Sequence, residues 1–408
     1  MLDTKKFRTE LSGFVWGKMK VRKILPAERL KSIKPSAIRR MIDLSASMKD
    51  AIHLEQGEPD FKTPEHILEA AKKAMEEGYT HYTQTAGLPE LRNAISEKLS
   101  RENGIDVDPE TEVIIVSGVQ EAMLLTAMAF LNPNDKALVL EPYYPAYLED
   151  TLLAESVPIP VPLNEERGYR VELDELEKRI DPKTKLIWLC NPSNPTGHVF
   201  SKEDLEIIVE VARRHELLMF SDEIYEKLIY DGAEHVSIGS LPSAEDITIT
   251  ANGFSKAYAM TGWRIGYIAA PAVLAKELNK VHYYAALCPN SISQRAALAA
   301  LTGPQDCVRE MRDEYDRRRK IVFETLEKIP QLSYVRPKGA FYVFPNFSEF
   351  EEDDEKLAEY FIRRSHVVTV PGSGFGESGR GHLRISYSVP FEKVRKGISK
   401  IVEALGEL

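Results

Sequence analysis

Cysteine is scarce in this sequence. The 408 residues include three cysteines, Cys190, Cys288 and Cys307, which lie far apart and form no C-x-x-C pair. An odd and sparse set of this kind argues against a disulfide framework and against a cysteine-based zinc site. We interpret all three as buried or partly buried thiols in a reducing compartment.

Positive charge is not in excess, and long apolar runs are missing. The sequence has 53 basic and 63 acidic residues, for a net charge of −10. A protein that binds nucleic acid backbones normally carries an excess of positive charge, so we expect no nucleic acid partner. No stretch reaches the roughly 18 apolar residues of a membrane span, and the N-terminal residues lack the apolar segment of a secretory signal. We therefore expect a cytoplasmic protein with no membrane partner.

Short apolar runs alternate with helical patterns through the first two thirds of the chain. Nearly every position in these runs is apolar or β-branched, which is typical of strands covered on both faces. The segment 201–215 between them begins with a serine cap and two acids, as a helix does. The predicted strands are 113–117, 136–141, 185–190, 217–221, 247–251 and 265–270. This pattern predicts an α/β fold with a mostly parallel, helix-covered sheet.

The pattern changes after about residue 289, where helical segments dominate as far as residue 328. Strands are predicted at 341–344, 366–370 and 383–386, and a final helix from Pro390. We interpret this part as a smaller α+β domain. The expected division is an N-terminal segment, 1–57, that packs with the small domain, a large domain, 58–295, and the small domain, 296–408.

Ligands of open α/β sheets bind at the carboxyl ends of the strands, so the loops there are the candidate sites. Gly118, Val119 and Gln120 lead directly from a strand into a helix, whose free N–H groups favour an anion. A simple turn is the alternative interpretation. Asn194 lies in the loop 191–197, where two Asn-Pro steps favour a rigid turn that aims the amide.

Three charged residues sit next to apolar strands. Asp222 needs a cation or a proton donor if it is buried, although it could instead cap a helix. Lys256 is a candidate nucleophilic amine, because loss of water lowers the pKa of lysine, although a surface lysine is the alternative. Arg384 needs a carboxylate or phosphate partner if it faces inward, and it otherwise points to water.

Together these residues form a set that suits pyridoxal phosphate. The set offers an amine for a Schiff base, an acid for the ring nitrogen, an Asn and a Tyr for the phenolic oxygen, an anion cradle and an arginine for a carboxylate.

The chain also resembles a known family at these residues. The matching pieces run in family order from about residue 33 to the C-terminus: QGEPDF, THYTQTAGLPELR, EPYYPAY, NPSNPTG, SDEIYE, NGFSKAYAMTGWRIGY and LRISYS. They resemble the fold-type-I, class I/II aminotransferases of the aspartate and aromatic aminotransferase group. The resemblance implies a pyridoxal-phosphate enzyme, a homodimer, and ping-pong transfer of an amino group from an L-amino acid, aspartate or aromatic, to a 2-oxo acid such as 2-oxoglutarate.

The resemblance implies a role for each matching residue. Lys256 is similar to the lysine that carries the cofactor and moves the substrate Cα proton, Asp222 to the partner of the ring nitrogen, and Tyr225 to a partner of the phenolic oxygen. The other implied cofactor-binding residues are Gly118, Val119, Gln120, Tyr144, Asn194, Ser255, Arg264 and, from the neighbouring subunit, Tyr82. The implied substrate-binding residues are Gly57, Tyr144, Asn194 and Arg384.

One position departs from the family pattern. Many members carry Ser or Thr three residues before the lysine, and this chain has Gly253 there. We interpret it as a mark of a subfamily in which Ser255 compensates. The nine histidines follow no metal-binding spacing, so no metal is expected.

Two alternatives remain open at this stage. Carbon–sulfur lyases of the same fold reuse the same lysine, aspartate and arginine. A non-enzymatic regulator with this fold would need an N-terminal DNA-binding module, for which roughly thirty residues before residue 33 are too few.

Overall fold

The computed structural model of the chain describes residues 25–33 and 36–408. Within that part of the chain the strands are β1 (Ile52–His53), β2 (Val113–Val116), β3 (Lys136–Glu141), β4 (Val157–Pro162), β5 (Thr184–Cys190), β6 (Leu218–Asp222), β7 (Thr248–Gly253), β8 (Gly266–Ala269), β9 (Tyr342–Val343), β10 (Val367–Val368), β11 (Val370–Pro371) and β12 (Leu383–Ser386). The α-helices are α1 (Ala37–Ser45), α2 (Glu65–Glu76), α3 (Pro89–Lys98), α4 (Val119–Phe130), α5 (Ala146–Leu153), α6 (Leu173–Glu177), α7 (Lys202–Arg214), α8 (Ala272–Ala286), α9 (Ser291–Thr302), α10 (Asp306–Leu326), α11 (Asp354–Ser365) and α12 (Phe391–Leu405).

A seven-stranded sheet forms the centre of the larger part, in the order β2-β8-β7-β6-β5-β3-β4. Its strands run in one direction except β8, which is antiparallel to β2 and β7. Each predicted strand is present with ends within two residues of the prediction. Side chains of β5 and β6 alternate between two cores, with Trp188 and Phe220 in one and Ile187 and Met219 in the other. The predicted fold class is confirmed.

The sequence analysis missed β4 because the segment VPIPVP has a proline at every second position. β4 is an edge strand that pairs with β3 alone. The Val157 amide donates to the Asp135 carbonyl and the Leu163 amide to the Glu141 carbonyl, both at 2.8 Å. The prolines occupy the alternate positions, which face away from β3, and the lack of an N–H therefore costs no ladder hydrogen bond.

The C-terminal part contains the antiparallel sheet β11-β12-β9 and the parallel pair β1-β10. The strand predicted at 366–370 is two strands, because β10 and β11 separate at Thr369 and join different sheets. The β1-β10 pair brings the N-terminal segment against the C-terminal part, and α1 packs on β11. Helix α9 spans the predicted boundary at residue 295. The domain division stays a prediction, and residues 1–24 and 34–35 of its first segment lie outside the described residues.

The sheet brings the ends of several strands to one edge. Cys190 pairs with Asp222, and Asp222 with Ala251, so β5, β6 and β7 end side by side. The loops that follow them, and the turn after β2, therefore meet at this edge. In residues 25–33 and 36–408, no helix has the length and apolar character that crossing a bilayer requires.

Candidate active site

A cleft of about 450 Å³ lies at this edge of the sheet. This volume suits a small molecule or cofactor. The predicted residues that line it are Gly57, Val119, Gln120, Tyr144, Asn194, Asp222, Tyr225, Ser255, Lys256, Arg264 and Arg384. The structure therefore brings together residues that are spread over more than three quarters of the chain.

Lys256 lies in the turn that follows β7, with its amine inside the cleft. Its Nζ donates a hydrogen bond to the Gly57 carbonyl and lies 5.9 Å from the centre of the Tyr225 ring and 5.8 Å from that of Phe341. Burial of the amine, and next the nearby Arg384 cation, lower the pKa of Lys256 to about 8. An amine with this pKa is partly neutral near physiological pH and can act as a nucleophile or a base.

Asp222 is the last residue of β6 and is 5% exposed. The Tyr147 hydroxyl donates to Oδ2 at 2.8 Å, and the Ile224 amide donates to Oδ1 at 3.1 Å. Burial raises the pKa of Asp222 to about 6, although the Tyr147 hydrogen bond lowers it. The carboxyl is therefore mostly ionised at neutral pH, as a buried anion that faces the cleft.

Arg384 lies on β12 and is 1% exposed, so the alternative in which it points to water is wrong. Its Nη1 donates to Asn194 Oδ1 at 3.0 Å and its Nη2 to the Glu55 carbonyl at 2.6 Å. Its Cζ lies 4.5 Å from the centre of the Tyr342 ring, and its buried Nε has no hydrogen-bond partner among the described residues. The guanidinium is held in a fixed orientation and keeps a donor in reserve.

Tyrosines form much of the remaining wall. The Tyr225 hydroxyl lies 2.9 Å from that of Tyr342, and burial raises the pKa of Tyr225 well above its ordinary value. The Tyr144 hydroxyl donates to Gln120 Oε1 at 3.2 Å. These hydroxyls are therefore neutral donors at physiological pH.

The turn after β2 and Arg264 form a cradle for an anion. Helix α4 begins at Val119 with no side-chain cap, so its first N–H groups point toward the cleft side of the turn. Gly118 has φ +85°, and a Cβ there would lie 2.9 Å from Arg264 Nη2. Backbone and guanidinium donors thus converge where a larger residue at position 118 would fill the space.

Two predicted positions call for separate description. Tyr82 is 83% exposed and lies outside the cleft, so this chain alone does not bring it to the other site residues. At Gly253, a Cβ would lie 3.0 Å from the Gly266 Cα, because β8 packs closely there. A side chain at 253 would have to displace backbone, whereas Ser255 lines the cleft.

A buried polar cluster lies behind Asp222. The possible ligand atoms of Glu223, Glu226 and His235 lie within 4.8 Å of one another. Lys98 pairs with Glu226 inside this cluster, and it donates to Asn103 at 2.7 Å. Burial alone would raise the pKa of Glu226, but the Lys98 cation outweighs it and the pKa falls to about 2. A lysine supplies positive charge to this cluster, and the absence of a metal site stays a prediction.

Sequence reasoning missed several residues of the cleft. Tyr147 follows Tyr144 by three residues on a helix, a spacing that places both on one face and could have indicated a shared role. Tyr342 lies in a two-residue strand, which has no detectable period. Ile38 and Ile42 of α1 and Glu58 also line the cleft, and no motif marks their chemistry.

The comparisons with known proteins agree with this geometry. Residues 49–401 match the family model described as aminotransferase class I and II. The chain is 43% identical to aspartate aminotransferase of Pyrococcus abyssi and 42% identical to aromatic-amino-acid aminotransferase 2 of Thermococcus litoralis, in each case over 93% of this chain and 98% of the relative. The structure of aspartate aminotransferase from Thermus thermophilus with maleate superposes with a TM-score of 0.88, at 38% identity, over 93% of this chain and 100% of that one. The chain is an aminotransferase and belongs to the class I and II aminotransferase family.

Proposed function

We propose that this aminotransferase uses pyridoxal phosphate to move the amino group of an L-amino acid, aspartate or aromatic, to a 2-oxo acid such as 2-oxoglutarate. The observation that carries the proposal is the Lys256 amine, which shares one cleft with the Asp222 carboxylate and the Arg384 guanidinium. The pKa of this amine is lowered to about 8.

The residues present fit the cofactor. The cradle formed by Gly118, the N-terminus of α4 and Arg264 would hold its phosphate. Asp222 would pair with the ring nitrogen, since its carboxylate is buried and held by Tyr147. When bound, pyridoxal phosphate supplies an aldehyde that forms a Schiff base with amines and a protonated ring that accepts electron density.

Asn194 and Tyr225 would serve the phenolic oxygen of the ring. Asn194 Oδ1 already accepts from Arg384, which orients the amide and leaves Nδ2 as the donor. The Tyr225 hydroxyl is neutral because burial raises its pKa, and Tyr342 fixes its position. Both groups therefore donate without adding charge to the cleft.

Arg384 would bind the α-carboxylate of the substrate. Its contacts with Asn194 and the Glu55 carbonyl hold the guanidinium plane, so a carboxylate finds a donor fork that is already oriented. Lys256, in its neutral form, would then take the proton from the substrate Cα and return it at the end of the transfer.

We also propose a homodimer in the cytoplasm. The 83% exposure of Tyr82 supports a dimer in which this residue reaches the site of the neighbouring subunit. The three free cysteines support a reducing compartment. Sedimentation of wild type and Tyr82→Ala would test the dimer, which should be present in the wild type.

One experiment tests the proposed reaction. Enzyme loaded with pyridoxal phosphate is mixed with aspartate or phenylalanine and 2-oxoglutarate, and the expected product is glutamate. Ammonia and pyruvate would instead indicate a carbon–sulfur lyase acting on a cysteine-like substrate. Lys256→Ala should keep its circular dichroism spectrum and lose several orders of magnitude in rate. Lys276→Ala, a change of an exposed lysine on α8, is the control and should retain activity.

A further inference from the structure

Positive charge in the cleft is fully assigned by the proposed function. Among the described residues that line it, the lysines and arginines are Lys256, Arg264 and Arg384. The proposed reaction uses them for the Schiff base, the phosphate and the α-carboxylate. No lysine or arginine of this lining is left for a second carboxylate on the substrate.

The arginines of the neighbouring helix α1 are engaged elsewhere. Arg39 Nε pairs with Asp43 at 3.0 Å on the same helix. Arg40 pairs with Glu355 at 2.5 Å and with Glu359 at 2.8 Å, both on the α11 side of the helix. Helix α1 therefore brings apolar side chains, and no uncompensated cation, to the cleft.

The wall that α1 contributes is apolar. Ile38 and Ile42 are four residues apart, so they lie on one face of the helix, and both line the cleft. Ile38 also packs against the small core of Phe344, Val370 and Phe375, which fixes the helix in place. Met123 and the ring of Tyr144 extend the apolar lining.

The remaining charged residue of the lining is an anion. Glu58 lies next to Gly57 and accepts a hydrogen bond from Thr261 Oγ1 at 3.1 Å. A substrate carboxylate beyond the one bound by Arg384 would meet this negative charge and the isoleucine face. A charge placed there loses water without gaining a partner.

We propose that the cleft selects amino donors with a bulky apolar or aromatic side chain and disfavours dicarboxylic donors such as aspartate. This inference rests on the proposed function and narrows its substrate class. The Ile38 and Ile42 face is the surface that contacts the donor side chain, and Glu58 adds repulsion toward a second carboxylate.

The donor half-reaction tests this without involvement of the 2-oxo acid. The cofactor-loaded enzyme is mixed with phenylalanine or aspartate, and the rate of the cofactor's absorbance change gives kcat/KM for each donor. We expect phenylalanine to exceed aspartate by about tenfold or more. Binding without reaction is measured with two probes, 3-phenylpropionate and maleate, and 3-phenylpropionate should bind more tightly by a similar factor.

Variants of the wall separate specificity from general damage. Ile42→Arg should shrink the ratio of phenylalanine to aspartate by about 5- to 10-fold, because it supplies the missing cation. Ile42→Met changes shape without charge and should leave the ratio within about threefold. Glu58→Gln should raise the rate with aspartate more than the rate with phenylalanine.

The outcomes distinguish the two proposals. If phenylalanine and aspartate both react and aspartate is equal or better, the specificity inference is overturned while the proposed function stands. If neither donor changes the cofactor spectrum and no other amino acid does, the proposed function fails and the inference fails with it. A ratio that Ile42→Arg and Ile42→Met change equally would also refute the role of the apolar wall.

Discussion

The hydrogen bond from Tyr147 to Asp222 offers a quantitative test of the site. Tyr147 is 2% exposed, and its ring stacks on Trp188, so Tyr147→Phe removes the hydroxyl and keeps the packing. Hydrogen bonds to charged groups contribute about 1.5–3 kcal/mol. The neutral acid also accepts a hydrogen bond, so we take the lower end, which corresponds to a rise of about one unit in the pKa of Asp222.

The sign of the effect follows from the role proposed for Asp222. The ionised carboxylate binds the protonated ring nitrogen, so cofactor affinity should fall as pH drops through the pKa of Asp222 in the free protein. For the wild type that pKa is about 6. In Tyr147→Phe the fall should be centred near pH 7, about one unit higher.

The assay is the dissociation constant of pyridoxal phosphate, titrated from pH 5 to pH 9 with the cofactor-free protein. Tyr315→Phe is a matched control, because Tyr315 is fully buried and its hydroxyl has no hydrogen-bond partner among the described residues. The control should keep the wild-type pH dependence. An acidic limb that is the same in Tyr147→Phe and in wild type would refute the reasoning.

Three further predictions concern neighbouring features. Asp222→Asn should stabilise the cofactor-free protein at pH 7 by up to about 3 kcal/mol in urea unfolding, because the raised pKa of Asp222 means that ionisation destabilises the fold as pH rises from about 4 to 6. The gain should vanish near pH 4, and a gain independent of pH would contradict it. Gly118→Ala should weaken pyridoxal phosphate binding about tenfold, since its Cβ meets Arg264, while Gly78→Ala, with φ +81° and open space around it, strains the backbone alone and should leave binding unchanged. Glu226→Gln should lower the free energy of unfolding by about 3 kcal/mol at pH 7 because it leaves Lys98 buried without its partner. The loss should shrink as pH falls from about 4.5 toward 2, where the wild-type carboxyl also becomes neutral, and in Lys98→Met/Glu226→Gln the two losses should not add.

The parts of the fold that the sequence predicted are those with a strong local pattern. Strands buried on both faces are apolar at almost every position, so β3 was predicted with its observed ends. β4 was missed because its prolines are acceptable only at an edge, and edge position is a property of the assembled sheet. The split of 366–370 at Thr369 likewise depends on which strands pair with each half.

The candidate site divides in the same way. Residues that follow a strand directly, such as Asp222 and Lys256, could be predicted because strand ends converge at one edge of an α/β sheet. Tyr342 and Ile42 reach the cleft through packing of the C-terminal part and α1, which no local period encodes. The contact of Arg384 with Asn194 joins positions 190 residues apart, so its inward orientation became evident only in the structure.

The pairing of the first and last parts of the chain has a consequence for synthesis and for engineering. Arg384 donates to the carbonyl of Glu55, 329 positions away, and α1 rests on β11. The groups proposed to hold the cofactor lie between Gly118 and Arg264, so they leave the ribosome well before the wall that faces the donor is complete. Because the two surfaces come from different stretches of the chain, substitutions on α1 can retune donor choice while the cofactor geometry stays as it is.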